Sequence, residues 1–291
     1  MSESHQDIWS QWLLHGRFGG DPELRKKMFE YLYPIRDRVL SHIDLEDGDT
    51  LLDVGCGDGL IAFGALEKFE NSCVIFSDIS QNLLSHVEAI AGEMSLQDRC
   101  RFVCSSADDL SALEGETVDA VTTRSVLIYV ADKQKSFHEF YRVLKTGGKI
   151  SLFEPINRFG WPDPPGQFEG YEAAPVEELV RKLMNHYQQF QSLTSDPMMD
   201  FDERDLVAQA EKAGFSEIHL DLEIRVAHHE KEDWFAWINT ASNPKVPTLA
   251  EAMRKVFTAA EEERFTAHLR PLVEAGKGKH RGAVAYLWAL K

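Results

Sequence analysis

The sequence predicts an α/β protein built around a doubly wound, largely parallel sheet. Three observations carry this. From residue 50 to about 154, short apolar runs alternate with helical stretches, the pattern of stacked βαβ units. A glycine-rich turn joins the first apolar run to the first of these helices. The 291 residues are 43% hydrophobic and 27% charged, which gives enough apolar mass for a sizeable core.

The elements follow in order. Residues 7 to 43 are helical in pattern, with Ile8, Trp9, Trp12 and Leu13 at helical spacing and a break at HGRFGG, residues 15–20. Strands are expected over 50–54 (TLLDV), 72–77 (SCVIFS), 100–104 (CRFVC), 118–122 (VDAVT) and 149–153 (KISLF). Helices are expected over 60–69, 81–93 and 133–144, the last stopped by Gly147 and Gly148. Pro155, Pro162, Pro164 and Pro165 with Gly160 and Gly166 mark an irregular segment too long for a plain connector, and such segments tend to be lids or binding loops. Helices then fall over 175–190 and 202–213, and strands over 218–226 (IHLDLEIRV) and 281–291 (RGAVAYLWALK). Residues 228–280 between those strands read as helical, with Thr248 and Glu251 spaced as a capping box. If the two strands are neighbours, that segment is an insertion covering one end of the sheet.

Charge and composition exclude several functions. Lys and Arg total 31 against 48 Asp and Glu, a net charge of -17, so nucleic acid and anionic lipid surfaces are disfavoured partners. No run of 18 apolar residues is present to span a membrane, and the N-terminus lacks the basic start and apolar run of a secretory signal. Cys56, Cys73, Cys100 and Cys104 lie in a chain with a full core, so reduced thiols and a cytoplasmic location are expected.

The strongest chemical signal is LLDVGCGDGL, residues 51–60: an apolar strand holding Asp53, then a turn with Gly55, Gly57 and Gly59 opening a helix. Glycines there let the backbone turn tightly and approach a ligand without a Cβ in the way. Asp78 ends the next strand, where an acid can take both hydroxyls of a ribose; alternatively it caps the helix after Ser80. A dinucleotide fingerprint wants glycine at the position of Leu60, so the turn points to a mononucleoside-like cofactor, and a nicotinamide oxidoreductase is disfavoured.

With IFSDIS, CSSADDL, VDAVTTRSVLIYVAD and LKTGGKISLFEP following LLDVGCGDG in order, residues 50 to 155 resemble the class I S-adenosylmethionine-dependent methyltransferases of small-molecule type. Weaker likeness extends to 200–226 and 281–291. The resemblance implies a Rossmann-like seven-stranded sheet, mostly parallel with its last strand antiparallel, carrying helical N-terminal and lid insertions. It implies S-adenosyl-L-methionine as cofactor and methylation of a small, partly apolar or aromatic acceptor. The corresponding organisation is a helical cover over 1–45, a cofactor-binding half over 46–155, a lid and acceptor insertion over 156–200, and the rest of the sheet over 201–291 with helical insertion 228–280.

Carried over by position, the resemblance puts Asp53, Gly55 and Gly57 around the methionine part of the cofactor, Asp78 at the ribose and Ile79 beside the adenine. Many members carry an acid before Ala107; here Ser106 stands there, so its hydroxyl or Asp108 must serve the adenine. Thr123 and Arg124 are expected near the amino-acid end, although Arg124 is equally a structural ion-pair partner. Trp9, Trp12 and Arg17 are expected in a segment closing over the cofactor.

The acceptor should lie beyond the carboxyl ends of the fourth and fifth strands. Glu154 is the candidate base or polar contact, or else an acid that fixes the loop through Asn157 or backbone amides. Tyr129 is either a second catalytic candidate or a packed ring. Asn157, Arg158, Trp161 and Tyr171 are candidate acceptor contacts. His228 and His229 lack further partners at ligand spacing, so no metal is expected. Two other readings stay open: a cofactor-binding protein with non-methylating chemistry, and one without catalysis that acts as a sensor or partner protein. The acceptor atom is undetermined, and a homo-oligomer is compatible with the sequence.

Overall fold

The computed structural model describes residues 7–17, 22–192, 195–241 and 243–291, with only the backbone of 22–25. The expected break at 15–20 therefore lies partly outside the described residues.

The chain begins with α1 (Ile8–Gln11), capped by the Asp7 carboxylate on the Trp9 and Ser10 amides, and continues through a wide helical turn over Trp12–Gly16. Next come α2 (Pro22–Ser41), β1 (Thr50–Val54), α3 (Leu60–Lys68), β2 (Cys73–Asp78), α4 (Gln81–Glu93) and β3 (Cys100–Cys104). They are followed by β4 (Val118–Arg124), α5 (Lys133–Val143), β5 (Leu144–Pro155) and the short α6 (Asn157–Gly160). A small hairpin, β6 (Gln167–Phe168) and β7 (Tyr171–Glu172), leads to α7 (Glu177–Tyr187), α8 (Glu203–Ala213) and β8 (Ser216–His228). The chain closes with α9 (Trp234–Asn239), α10 (Leu249–Val256), α11 (Ala259–Glu274) and β9 (Lys279–Leu290).

Seven strands form one sheet in the order β3-β2-β1-β4-β5-β9-β8. Strands β1 to β5 are parallel, and β9 runs antiparallel to both β5 and β8. Capping starts the helices where the sequence places them: Ser80 caps α4, Asp132 caps α5, and Thr248 with Glu251 forms the capping box of α10. Most boundaries shift by one to three residues, and the one before β5 shifts most. The helix α5 ends at Val143, because Leu144 is already extended opposite Val118, and Gly147 and Gly148 fall inside β5 rather than behind a helix.

Successive strand residues feed opposite faces, as a sheet buried on both sides requires. Leu52 and Ile75 pack with Phe137, Phe140 and Leu206 beneath α5 and α8. Leu51 and Phe76 pack with Ile35, Val39 and Leu84 beneath α2, α3 and α4. A third apolar cluster lies apart from these two: Phe168 and Tyr171 join Leu179, Trp234, Met253 and Phe265, so the hairpin, α7 and the 234–274 helices share a core of their own. No helix among the described residues is long and apolar enough to cross a membrane. All four cysteines are unpaired.

Candidate active site

The sheet winds outward in opposite senses from β1 and β4, so their carboxyl ends face a crevice where α/β sheets bind ligands. A cavity of about 560 Å³ occupies it. Five strand ends contribute: Gly55 and Gly57 after β1, Asp78 and Ile79 at β2, Ser105 to Asp108 after β3, Arg124 to Val126 at β4, and Pro155 at β5. Trp9, Trp12, Leu13 and Arg17 add the N-terminal wall, and Thr240 and Ala241 a stretch of rim beside it.

The glycine turn and the acid are physically joined. The Gly57 N–H donates to Asp78 Oδ2 at 2.9 Å, and the Ser80 N–H donates to Oδ1 at 2.9 Å. Two amides thus fix the plane of the carboxylate while it still borders the cavity. Burial raises the Asp78 pKa, and the two amides oppose that rise. Gly57 has a φ of +56°, and a Cβ there would stand 3.0 Å from Leu13 Cδ2, another wall residue. A side chain at 57 would fill the space over the turn.

After β3 the hydroxyl of Ser106 donates to Asp108, and both residues line the cavity. Ile79 is 60% exposed, a large apolar surface beside the acid. At the other end Tyr129 meets Trp9 edge-on at 4.9 Å between ring centroids. Burial pushes the Tyr129 hydroxyl up to about 12, so it stays protonated at neutral pH. The Trp12 indole N–H donates to the Ala241 carbonyl at 3.0 Å, tying the N-terminal segment to the loop after α9. Asn157 borders the cavity and donates to the Met198 carbonyl at 3.2 Å.

Six expected residues lie off the cavity. Asp53 is buried beneath the turn, accepting from the Ala62 amide at 3.1 Å and the Thr122 hydroxyl at 3.0 Å; it joins β1 to α3 and β4. Thr123 is wholly buried, its hydroxyl without a partner among the described residues. Glu154 is wholly buried too, and its carboxylate accepts the amides of Val126, Leu127 and Ile128 at 2.9, 2.9 and 3.3 Å. It is therefore corrected from acceptor base to anchor of the loop after β4, and burial pushes it up to about 7 against those three amides. Arg158 points outward, 3.9 Å from Asp202. Trp161 lines a separate cavity of about 330 Å³. Tyr171 is wholly buried in the third cluster, stacked on His229 at 4.8 Å.

Several wall residues had no sequence signal. Met198, Thr240 and Ala241 arrive from the insertions, and Ile128 and Val130 from the loop that Glu154 holds. No group of three or more His, Cys, Asp or Glu among the described residues is placed to hold a metal.

A glycine turn and an acid converge at the switch point of a Rossmann-like sheet. The chain belongs to the ubiE/COQ5 methyltransferase family, whose model matches residues 34–225. It is 28% identical over 253 residues to nocamycin O-methyltransferase of Saccharothrix syringae, covering 82% of this chain and 85% of that one. It is 31% identical over 123 residues to phosphoethanolamine N-methyltransferase 3 of Arabidopsis thaliana, covering 42% of this chain but only 24% of the relative. In fold it superposes with TM-score 0.53 on Haemonchus contortus phosphoethanolamine N-methyltransferase 2, at 16% identity, covering 98% of this chain and 57% of that one.

Proposed function

We propose that the chain transfers a methyl group from S-adenosyl-L-methionine to a small, partly apolar acceptor. The observation that carries this reading is the Asp78 carboxylate, locked by the Gly57 and Ser80 amides at the edge of the cavity. An acid so held presents its remaining lone pairs to the two hydroxyls of a ribose. The absence of a side chain at Gly57 lets the backbone of the turn approach the methionine part, and Ile79 offers an apolar face to the adenine. The Ser106–Asp108 pair stands where a lone acid is usual, and supplies a carboxylate for the adenine amino group. Family membership supports the same cofactor.

When bound, the cofactor supplies an electrophilic methyl carbon on a sulfonium. Transfer from such a centre is an in-line displacement, so the protein's work is positioning and exclusion of water. Trp9, Trp12 and Tyr129 wall the acceptor end and present ring faces that favour a cation. Glu154 acts at one remove, by fixing the loop that carries Ile128 and Tyr129. The four unpaired thiols support a reducing compartment such as the cytoplasm.

The test is release of S-adenosylhomocysteine across an acceptor panel, with mass spectrometry of the second product. A product heavier than its acceptor by one methylene unit supports the proposal. Turnover without that mass gain would favour non-methylating chemistry instead.

A further inference from the structure

The sheet ends in an open edge. In the order β3-β2-β1-β4-β5-β9-β8 the end strand is β8, paired only with β9 among the described residues. It runs for 13 residues, and its register is unbroken from His219 to His228, with no proline or bulge there to blunt the edge. The ladder fixes which backbone groups are free. The Ile156 amide donates to the Ala283 carbonyl at 2.8 Å, so Ala283 and every second residue along β9 bond to β5. The residues between them, Gly282, Val284 and Tyr286, bond to β8, opposite Arg225, Glu223 and Asp221. The amides and carbonyls of Leu222, Ile224 and Val226 therefore point outward, and these residues are 38%, 54% and 59% exposed. On the other face of β8, Arg38 of α2 bonds Asp221 at 2.7 Å and also Glu223, while Arg225 forms no ion pair among the described residues. Tyr31 stands about two turns before Arg38 on the same side of α2 and is 53% exposed, which adds apolar surface near this edge.

We propose that this edge pairs with the same edge of a second copy of the chain, antiparallel about a two-fold axis at Ile224, joining the two sheets into one. Charge complementarity selects both the partner and the register. With Ile224 opposite Ile224 of the second copy, Leu222 falls opposite Val226 and Glu223 opposite Arg225, each twice by symmetry. The pairs Leu222–Val226 and Ile224–Ile224 are then the hydrogen-bonded ones, as their outward amides and carbonyls require. The Glu223–Arg225 pairs fall between them, where side chains on neighbouring strands lie closest. Centring the pair on Glu223 or on Arg225 instead sets like charges opposite each other at the axis, which is destabilising. Glu223 can serve Arg38 of its own chain and Arg225 of the other, because a carboxylate has room for two donors of this kind. An unrelated strand would have to match this spacing of acid, base and apolar residues, whereas a second copy always carries it. Backbone bonds and the apolar triplet supply the affinity, and the ion pairs set the register. The pairing closes at two chains, because each uses the same edge. It does not depend on the reaction at the cavity.

The experiment is sedimentation velocity of the full chain at about 50 μM, for wild type, Arg225→Glu, Glu223→Arg and an equimolar mixture of the two variants. Wild type is expected at twice the chain mass. Each variant alone sets like charges opposite in both symmetric pairs, so its self-association should weaken at least about tenfold. In the mixture every introduced charge meets an opposite one, and the dimer is expected to return. A further variant, Ile224→Pro, removes an outward donor and spares the ladder to β9; it should be monomeric with wild-type circular dichroism. The proposal is overturned if wild type is a monomer, if Arg225→Glu or Ile224→Pro dimerises as wild type does, or if the mixture of folded variants stays monomeric. Should a charge variant fail to fold, Ile224→Pro decides alone, and should that variant fail to fold, the mixture decides.

Discussion

The carboxylate of Glu154 accepts the amide of Leu127 at 2.9 Å, across the gap between the end of β5 and the loop after β4. With the Val126 and Ile128 amides it closes a three-donor cradle that holds Val126 and Ile128 in the cavity wall. The loop needs this help, since Ser125 takes a left-handed φ of 56°.

Removing that acceptor leaves buried donors unpaired, each costing about 1–3 kcal/mol. Glu154→Ala is expected to destabilise the fold by about 2–4 kcal/mol, and Glu154→Gln by less, because an amide oxygen still accepts. Urea unfolding of the three proteins checks this. Equal stabilities would show that the cradle is not what fixes the loop.

The pH dependence has a definite sign. Burial pushes both Glu154 and Asp53 up to about 7. Each binds more protons folded than unfolded between its ordinary value and that raised one, so stability is lost as pH rises through this window. Acids held low, such as Glu261 beside Lys182, act below their own ordinary range and leave the upper window alone. Burial lowers the pKa of His42, His229 and His280, which works in the opposite sense over the upper part of this window, so the readout is a difference: between about pH 4.5 and about pH 7 the wild type should lose stability relative to Glu154→Gln. A difference between the two proteins that stays constant over this interval would contradict this account of Glu154.

Gly57 separates backbone strain from loss of the ligand space. Gly57→Ala strains a φ of +56° and also places a methyl over the turn, whereas Gly147→Ala strains a φ of +83° with nothing within 4 Å. Both should lose about 1 kcal/mol of stability. Only the first should weaken S-adenosylhomocysteine binding, by about tenfold or more. Parallel calorimetry on the two variants distinguishes the effects.

The hydrogen bond from Trp12 to Ala241 joins two segments far apart in sequence over one cavity. Trp12→Phe keeps most of the ring and removes the donor. Dissociation of S-adenosylhomocysteine, followed by stopped flow, should quicken by about three- to tenfold at little cost in stability. An unchanged rate would remove the latch from the account.

Much of this was legible in the residues. Local rules fix the β1 turn, Asp78 at the end of β2 and the capping box of Thr248 and Glu251, and the structure places them as expected. Side-chain direction at strand ends was not legible. Asp53, Thr123 and Glu154 sit at the right height on their strands, but all three are buried away from the cavity. A long-range partner decides this: Thr122 for Asp53, and the Val126–Ile128 amides for Glu154. The insertions were least readable, because Trp161 and Tyr171 carry the same apolar character whether they face a ligand or, as here, a second cavity and a core.

The central claim is that Asp78 and the β1 turn hold the nucleoside of S-adenosylmethionine. Calorimetric titration of S-adenosylmethionine, S-adenosylhomocysteine and NAD into wild type and Asp78→Ala tests it most directly. The two sulfur compounds should bind wild type and NAD should not, and Asp78→Ala should bind them about a hundredfold more weakly, as loss of two charge-assisted hydrogen bonds requires. Unchanged affinity in Asp78→Ala, or binding of NAD in preference to both, would contradict it.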